Sequence, residues 1–137
     1  MNETAKTTGA ALKLRGINIV SADPPRLADF YRYILGANID ESHGGPQRIE
    51  IWFDACKNSI DNKTVFIAVN YDEGFTPQTY NACQGFEIQV ADVDAEYKRI
   101  QALGGEVKEP PQNLPWGYRF FHLKDPDGNG IDFVQKL

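Results

Sequence analysis

Cysteine is scarce in this chain: Cys56 and Cys83 are the only two among 137 residues. They lack CxxC spacing and any secretory context, so buried or idle thiols are expected rather than a disulfide. Clustered positive charge is missing too. Against 19 acidic residues stand 14 lysines and arginines, a net charge of -5, and no basic run could track phosphates, which excludes nucleic acid as a partner. No apolar run approaches a membrane span, and the opening MNETAKTTGAALKLRG has no apolar signal-peptide core. The expectation is a cytoplasmic protein without a membrane partner.

What is present fits one domain, because 137 residues can bury a sizeable core but not two independent ones. Hydrophobic residues make up 42 % of the chain, which indicates a globular fold rather than disorder. The two tryptophans, six tyrosines and eight phenylalanines suit either a core or a ligand-lined cavity.

The chain repeats itself. LRGINIV at 14–20 reads as a strand, and Asp23-Pro24 opens a helix with a capping carboxylate and a proline in its first turn. Leu27, Phe30, Tyr31 and Ile34 recur at i, i+3, i+4 and i+7, one helical stripe, and Gly36 sits where a left-handed cap ends the helix. The second half does the same with strand GFEIQV at 85–90, Asp92 as cap, Val93, Tyr97 and Ile100 as stripe, then Gly104-Gly105. Gly16 and Gly36 stand 20 positions apart, as do Gly85 and Gly105, and the halves are offset by 69. Strand-like segments follow each helix, at 37–41, 48–53 and 64–71, then at 106–109, 118–124 and 130–135. His43–Pro46 and Lys57–Asn62 read as loops. The expected class is therefore α+β, βαβββ twice, with module one at about 14–75, module two at about 84–137, and a flexible arm over 1–13.

Three stretches, DFYRYILG at 29–36, VADVDAEYKRIQALGG at 90–105 and PWGYRFFHLKDPDGNGIDF at 115–133, resemble those of the vicinal oxygen chelate superfamily, the glyoxalase, bleomycin-resistance and dioxygenase group. The last is the most specific, joining a PWG entry, a DPDGN turn and an acidic residue at a fixed distance. The resemblance spans 14–137 and implies two modules forming a curved mixed sheet, helices on its convex face and a ligand pocket on its concave one. Metal-dependent members take ligands from the first, fourth, fifth and eighth strands. The corresponding positions here are Gly16, Ile67 or Ala68, Gly85 and Asp132. Glycine supplies no side-chain donor and a divalent site needs about three protein ligands, so no metal or other cofactor is expected there, and only a shifted site would restore one. Gly16 and Gly85 then read as close backbone approach or a bulge. The resemblance also implies a homodimer that completes the cavity.

Strand alternation turns Asn18, Glu87 and Gln89 the same way as those glycines, towards the pocket or open solvent, with Ile17, Ile19, Phe86, Ile88 and Val90 on the opposite apolar face. The DPDGN turn reverses the chain, and a hairpin centred on Asp127 pairs residues whose numbers sum to 254. His122 then faces Asp132, and Phe120 faces Val134. A His–carboxylate pair can do acid–base work, or can simply satisfy two polar groups by a hydrogen bond. Trp116 is the leading stacking residue, alternatively a plug for the end of the sheet, and Trp52 lies on a strand that should line the same cavity. Arg119 should face away from it. His43 should face solvent, joining a displaced metal site only if its loop folds over the pocket.

These residues support a metal-independent protein that captures a small organic ligand, in the manner of bleomycin-resistance proteins, with Asn18, Trp52, Glu87, Gln89, Trp116, Phe120, His122 and Asp132 as the binding set. The inward carboxylates and the net charge favour a cationic ligand. A ligand of about 30 heavy atoms at roughly 0.3 kcal/mol each would reach about micromolar affinity. The alternatives are a glyoxalase-like lyase or isomerase or a dioxygenase-type enzyme, with His122 and Asp132 as catalytic pair or a relocated metal, and a dimeric interaction module with a filled cavity.

Overall fold

Leu12 and residues 14–53, 65–77 and 85–137 are described by the computed structural model. Cys56, Cys83, the Lys57–Asn62 loop and all of the expected arm but Leu12 lie outside the described residues. Strand β1 (Gly16–Ser21) leads into helix α1 (Pro24–Asp29), where the Asp23 side chain accepts from Arg26 N at 3.2 Å, as the capping signal requires. The single helix expected here changes pitch halfway. Phe30–Ile34 winds as a π-helical turn, and Leu35 N donates to Phe30 O. Tyr31 lies fully buried on this turn, with Phe30 and Ile34 packed beside the core.

Strands β2 (Asn38–Asp40), β3 (Arg48–Trp52) and β4 (Phe66–Tyr71) complete a first sheet of order β1-β4-β3-β2, with β1 parallel to β4. The second half builds β5 (Gly85–Gln89), α2 (Val93–Ala102), β6 (Gln112–Asn113), β7 (Tyr118–Lys124) and β8 (Gly130–Lys136). Its sheet has the order β5-β8-β7-β6, and β5 again runs parallel to β8, so the sequence repeat is a repeat of topology. Gly36 and Gly104 both adopt positive φ, +78° and +91°, the left-handed conformation that ends each helical segment.

One strand falls elsewhere than expected. The ladder to β7 forms at Gln112–Asn113 and not at 106–109, with Gln112 opposite Phe120 and Asn113 opposite Arg119. Extended towards 106, that register would set Pro110 and Pro111 against the middle of β7, and neither carries an N–H to donate. Val107 still packs against the core, but its segment stands off the sheet edge.

The faces of the two sheets nearer the helices share one core. Ile19, Tyr31 and Ile51 from the first half and Ile100, Phe121 and Ile131 from the second belong to a single buried cluster, and each such side chain contributes about 1.5–3 kcal/mol. Two polar joints cross the same boundary. Arg99 of α2 donates to the carbonyls of Ile34 and Leu35, which the end of the first helical segment leaves without partners. Tyr31 Oη donates to Asp125 Oδ2 at 2.7 Å. Asp125 also accepts from Asp127 N, Asn129 N and Asn129 Nδ2, so one buried carboxylate holds the whole β7–β8 turn.

Burial pushes the Asp125 carboxyl up, against the lowering effect of its hydrogen bonds, and burial together with Asp125 pushes the Tyr31 phenol well up. A carboxyl raised above its unfolded value favours folding most at acid pH, and that contribution is lost as pH rises through the raised value. Tyr31→Phe removes one of the donors that oppose this loss. The variant should lose about 1–3 kcal/mol at pH 7 and less near pH 4, where a protonated carboxyl depends less on its donors. Urea unfolding at the two pH values measures the difference, and an equal loss at both contradicts the assignment.

The two glycines that mark the repeat are not equivalent. A Cβ on Gly16 would stand 2.7 Å from the Phe66 ring, whereas one on Gly85 would meet only Gly130 O, at 3.8 Å. Close approach therefore explains Gly16 but not Gly85. Gly16→Ala should cost about 1–3 kcal/mol by overpacking. Gly85→Ala should be neutral or stabilise by up to about 1 kcal/mol, because alanine narrows the unfolded ensemble. Thermal unfolding of both variants tests the pair.

Candidate functional site

The face of the second sheet turned away from the helices is built by alternation along β5, β8 and β7. Phe86, Ile88, Phe121, Leu123, Ile131 and Phe133 take the core side, leaving Glu87, Asp132, Val134, His122, Phe120 and Tyr118 on the other. Glu87 is the direct partner of Asp132 across the parallel β5–β8 ladder. Asp132 is the partner of His122, and Val134 of Phe120, across β7–β8, as the hairpin centred on Asp127 requires. His122 Nδ1 lies 2.7 Å from Asp132 Oδ1, a hydrogen bond between two half-exposed side chains.

A cavity of about 460 Å³ opens on this face. Its floor is Glu87, Asp132, Val134, Phe120 and Tyr118, and its wall is Leu114 and Trp116 from the segment between β6 and β7. Trp116 is 70 % exposed, so its indole covers the rim and does not plug the sheet. Glu87 has no ion-pair partner among the described residues, whereas Asp132 shares its charge with the imidazole of His122. Four of the expected residues, Glu87, Trp116, Phe120 and Asp132, thus meet in one cavity. Val134 joins them as the partner of Phe120, and Leu114 and Tyr118 join unforeseen, although Tyr118 stands two positions from Phe120 and the same alternation would have found it.

The other expected residues lie elsewhere. His122 borders two smaller grooves of about 150 and 250 Å³, which lie where the proline-interrupted segment 106–112 leaves the edge of β7. Gln89 borders a groove of about 340 Å³ with Leu35, Gly36, Phe53 and Arg99. Asn18 and Trp52 are on the first sheet, outside the residues lining the cavity. Asn18 accepts from Asn70 Nδ2 at 3.1 Å. Trp52, 4 % exposed, packs on Phe66 with ring centroids 4.9 Å apart and donates to Glu50 Oε1. Trp52 is not among the residues lining this cavity; the β3–β4 register sets it against Phe66, with the guanidinium of Arg15 4.7 Å and that of Arg48 5.7 Å from the Phe66 ring. Arg119 does face away, donating twice to Asp94 on α2, and this contact holds the Asp94 carboxyl below the usual carboxylate range.

The positions that correspond to metal ligands do not fit a metal. The space beside Gly16 is filled by Phe66, Ala68 offers only a methyl group, Ile67 belongs to the core, and Gly85 has no side chain. Asp132 alone supplies a donor, and it is paired with His122.

The comparisons agree with this architecture. The crystal structure of a glyoxalase/bleomycin resistance protein/dioxygenase from Nocardioides superposes with a TM-score of 0.73 at 16 % identity, over 98 % of this chain and 90 % of that one. A superfamily member from Sphaerobacter thermophilus gives 0.69 at 22 % identity, over 92 % and 98 %. Those identities carry the fold alone. Among curated proteins, YwbC of Bacillus subtilis is 37 % identical over 46 residues, and that match spans only 36 % of its length. The sequence pattern of the Glyoxalase/Bleomycin resistance protein/Dioxygenase superfamily matches residues 13–133, nearly the whole chain, and the chain belongs to that superfamily.

Proposed function

We propose that the cavity on the second sheet binds a small organic cation bearing an aromatic or planar group, without a metal at the superfamily's ligand positions. The observation that carries this reading is the convergence of two carboxylates with three aromatic side chains: Glu87 and Asp132 on the floor, Trp116, Tyr118 and Phe120 around them. Carboxylates select the charge of the ligand, and the aromatic faces hold its planar part by stacking or cation–π contact. Sequestration of this kind requires no bond to be made or broken.

The His122–Asp132 contact supports a second reading, a lyase or isomerase in which Asp132 orients the imidazole and His122 moves a proton. We further propose that the protein acts as a homodimer. Strands β1 and β5 are each paired on one side only among the described residues, and Leu14, Ile17 and Val20 are exposed along or beside β1. As for membranes, no helix among the described residues is long and apolar enough to cross one.

A thermal-shift screen with cationic aromatic antibiotics and, beside them, small carbonyl compounds tests the first reading. At least one cation should raise Tm in the wild type. Trp116→Ala and Glu87→Gln should each weaken that compound by about tenfold, the loss of roughly 1.4 kcal/mol, while His122→Ala leaves most of the affinity. Stabilisation by carbonyl compounds that is lost with His122→Ala would favour the enzyme. Stabilisation that survives both Trp116→Ala and Glu87→Gln would remove the cavity from consideration.

A further inference from the structure

On the first sheet, away from the cavity, the β2–β3 hairpin gathers a histidine and two carboxylates. Asp40 and Glu50 are direct cross-strand partners, 7 % and 2 % exposed. The turn between them is closed by hydrogen bonds from Gly45 N to Glu41 O and from Arg48 N to Gly44 O, and it carries His43 back over the strand ends. One donor atom from each of Asp40, His43 and Glu50 lies within 4.8 Å of the other two, and no other group of three His, Cys, Asp or Glu among the described residues does so. We propose that Asp40, His43 and Glu50 form a divalent transition-metal site, distinct from the four positions where the superfamily resemblance would put ligands.

The two carboxylates are already oriented. Asp40 Oδ1 accepts from Ser42 N and Ser42 Oγ, while Oδ2 stands 3.7 Å from His43 Nδ1. Glu50 Oε1 accepts from Trp52 Nε1 at 3.1 Å, and Arg48 holds Oε2. Contacts of this kind fix a ligand's direction. Arg48 offsets the charge of Glu50 and keeps the site from being strongly anionic when empty.

Ligand atoms around a tetrahedral ion at about 2.1 Å stand about 3.4 Å apart, so three groups within 4.8 Å of one another must draw in by up to about 1.4 Å. His43, 59 % exposed, is the side chain able to do so. One imidazole with two carboxylates suits Zn²⁺, Fe²⁺, Co²⁺ or Mn²⁺ and not Mg²⁺, which avoids imidazole. Three protein donors leave coordination positions on the solvent side of His43 for water or a ligand oxygen.

Calorimetric titration of the chelator-stripped full chain with Zn²⁺, alongside Co²⁺ followed by its visible absorption, tests the site. One equivalent should bind in the micromolar range or tighter, without a sulfur charge-transfer band, and Mg²⁺ should not compete. His43→Ala replaces an exposed side chain, so it should fold normally and weaken binding at least tenfold, while His122→Ala binds as the wild type does. Absence of saturable binding up to about 1 mM, binding that His43→Ala leaves untouched, or binding that His122→Ala removes would overturn the proposal. Trp116→Ala and Glu87→Gln should leave metal binding unchanged, which separates this result from the fate of the organic cavity.

Discussion

Asp125 accepts four hydrogen bonds from groups inside the protein, and the geometry of the second sheet descends from them. Two come from the backbone N–H groups of Asp127 and Asn129, which fold the turn; one comes from Asn129 Nδ2; the last comes from Tyr31, 94 positions earlier in the chain. A turn centred on Asp127 allows one register between β7 and β8, and a slip of one residue would exchange the core face for the cavity face along the strand that slipped. His122 would then no longer face Asp132, nor Phe120 face Val134. The same carboxylate fastens the second half to the π-helical turn of the first, so the cavity's floor and the joint between modules share one support.

The repeat gives two sheets of one topology, yet their outer faces have diverged. On the first, Phe66 occupies the space beside Gly16, Trp52 stacks on Phe66, and Arg15 and Arg48 approach the same ring. On the second, a Cβ on Gly85 would meet only Gly130 O, at 3.8 Å, and Glu87 lies two residues further along the same ladder. Aromatic rings thus occupy, on the first sheet, the place beside the glycine that stays unfilled by side chains of the described residues on the second. The difference could not be read from two glycines in equivalent positions, since the sequence does not say which neighbour reaches them.

Local chemistry was the legible part. Capping aspartates, left-handed glycines and the DPDGN turn depend on residues within a few positions, so Asp23, Asp92, Gly36 and the His122–Asp132 pairing could be read directly. What failed to show depended on distant registers. Trp52 is turned by the β3–β4 ladder, whose connecting residues number more than a dozen, and the site of β6 depends on where Pro110 and Pro111 interrupt a ladder whose other strand comes later. Asp40 and Glu50 were passed over for the same reason: ten positions apart, they become neighbours only once the β2–β3 register is known. His43 looked like a solvent residue of a glycine-rich loop, and its exposure agrees, but the turn sets its ring beside Asp40.

Charge extends the asymmetry from packing to chemistry. The first sheet carries its cations, Arg15 and Arg48, against an aromatic ring and a carboxylate, so both are engaged within the sheet itself. The second sheet sets Glu87, Asp132 and the half-exposed His122 in a row across three strands, with Asp132 in the middle, and no arginine or lysine is among the described residues lining the cavity. Glu87, exposed and without an ion-pair partner among the described residues, gives this face a negative potential that favours cations over anions. Aromatic residues around the carboxylates strengthen the same preference, because ring faces attract cations and repel anions. The negative charge of the cavity therefore follows from the register that Asp125 fixes, through the residues this register turns outward.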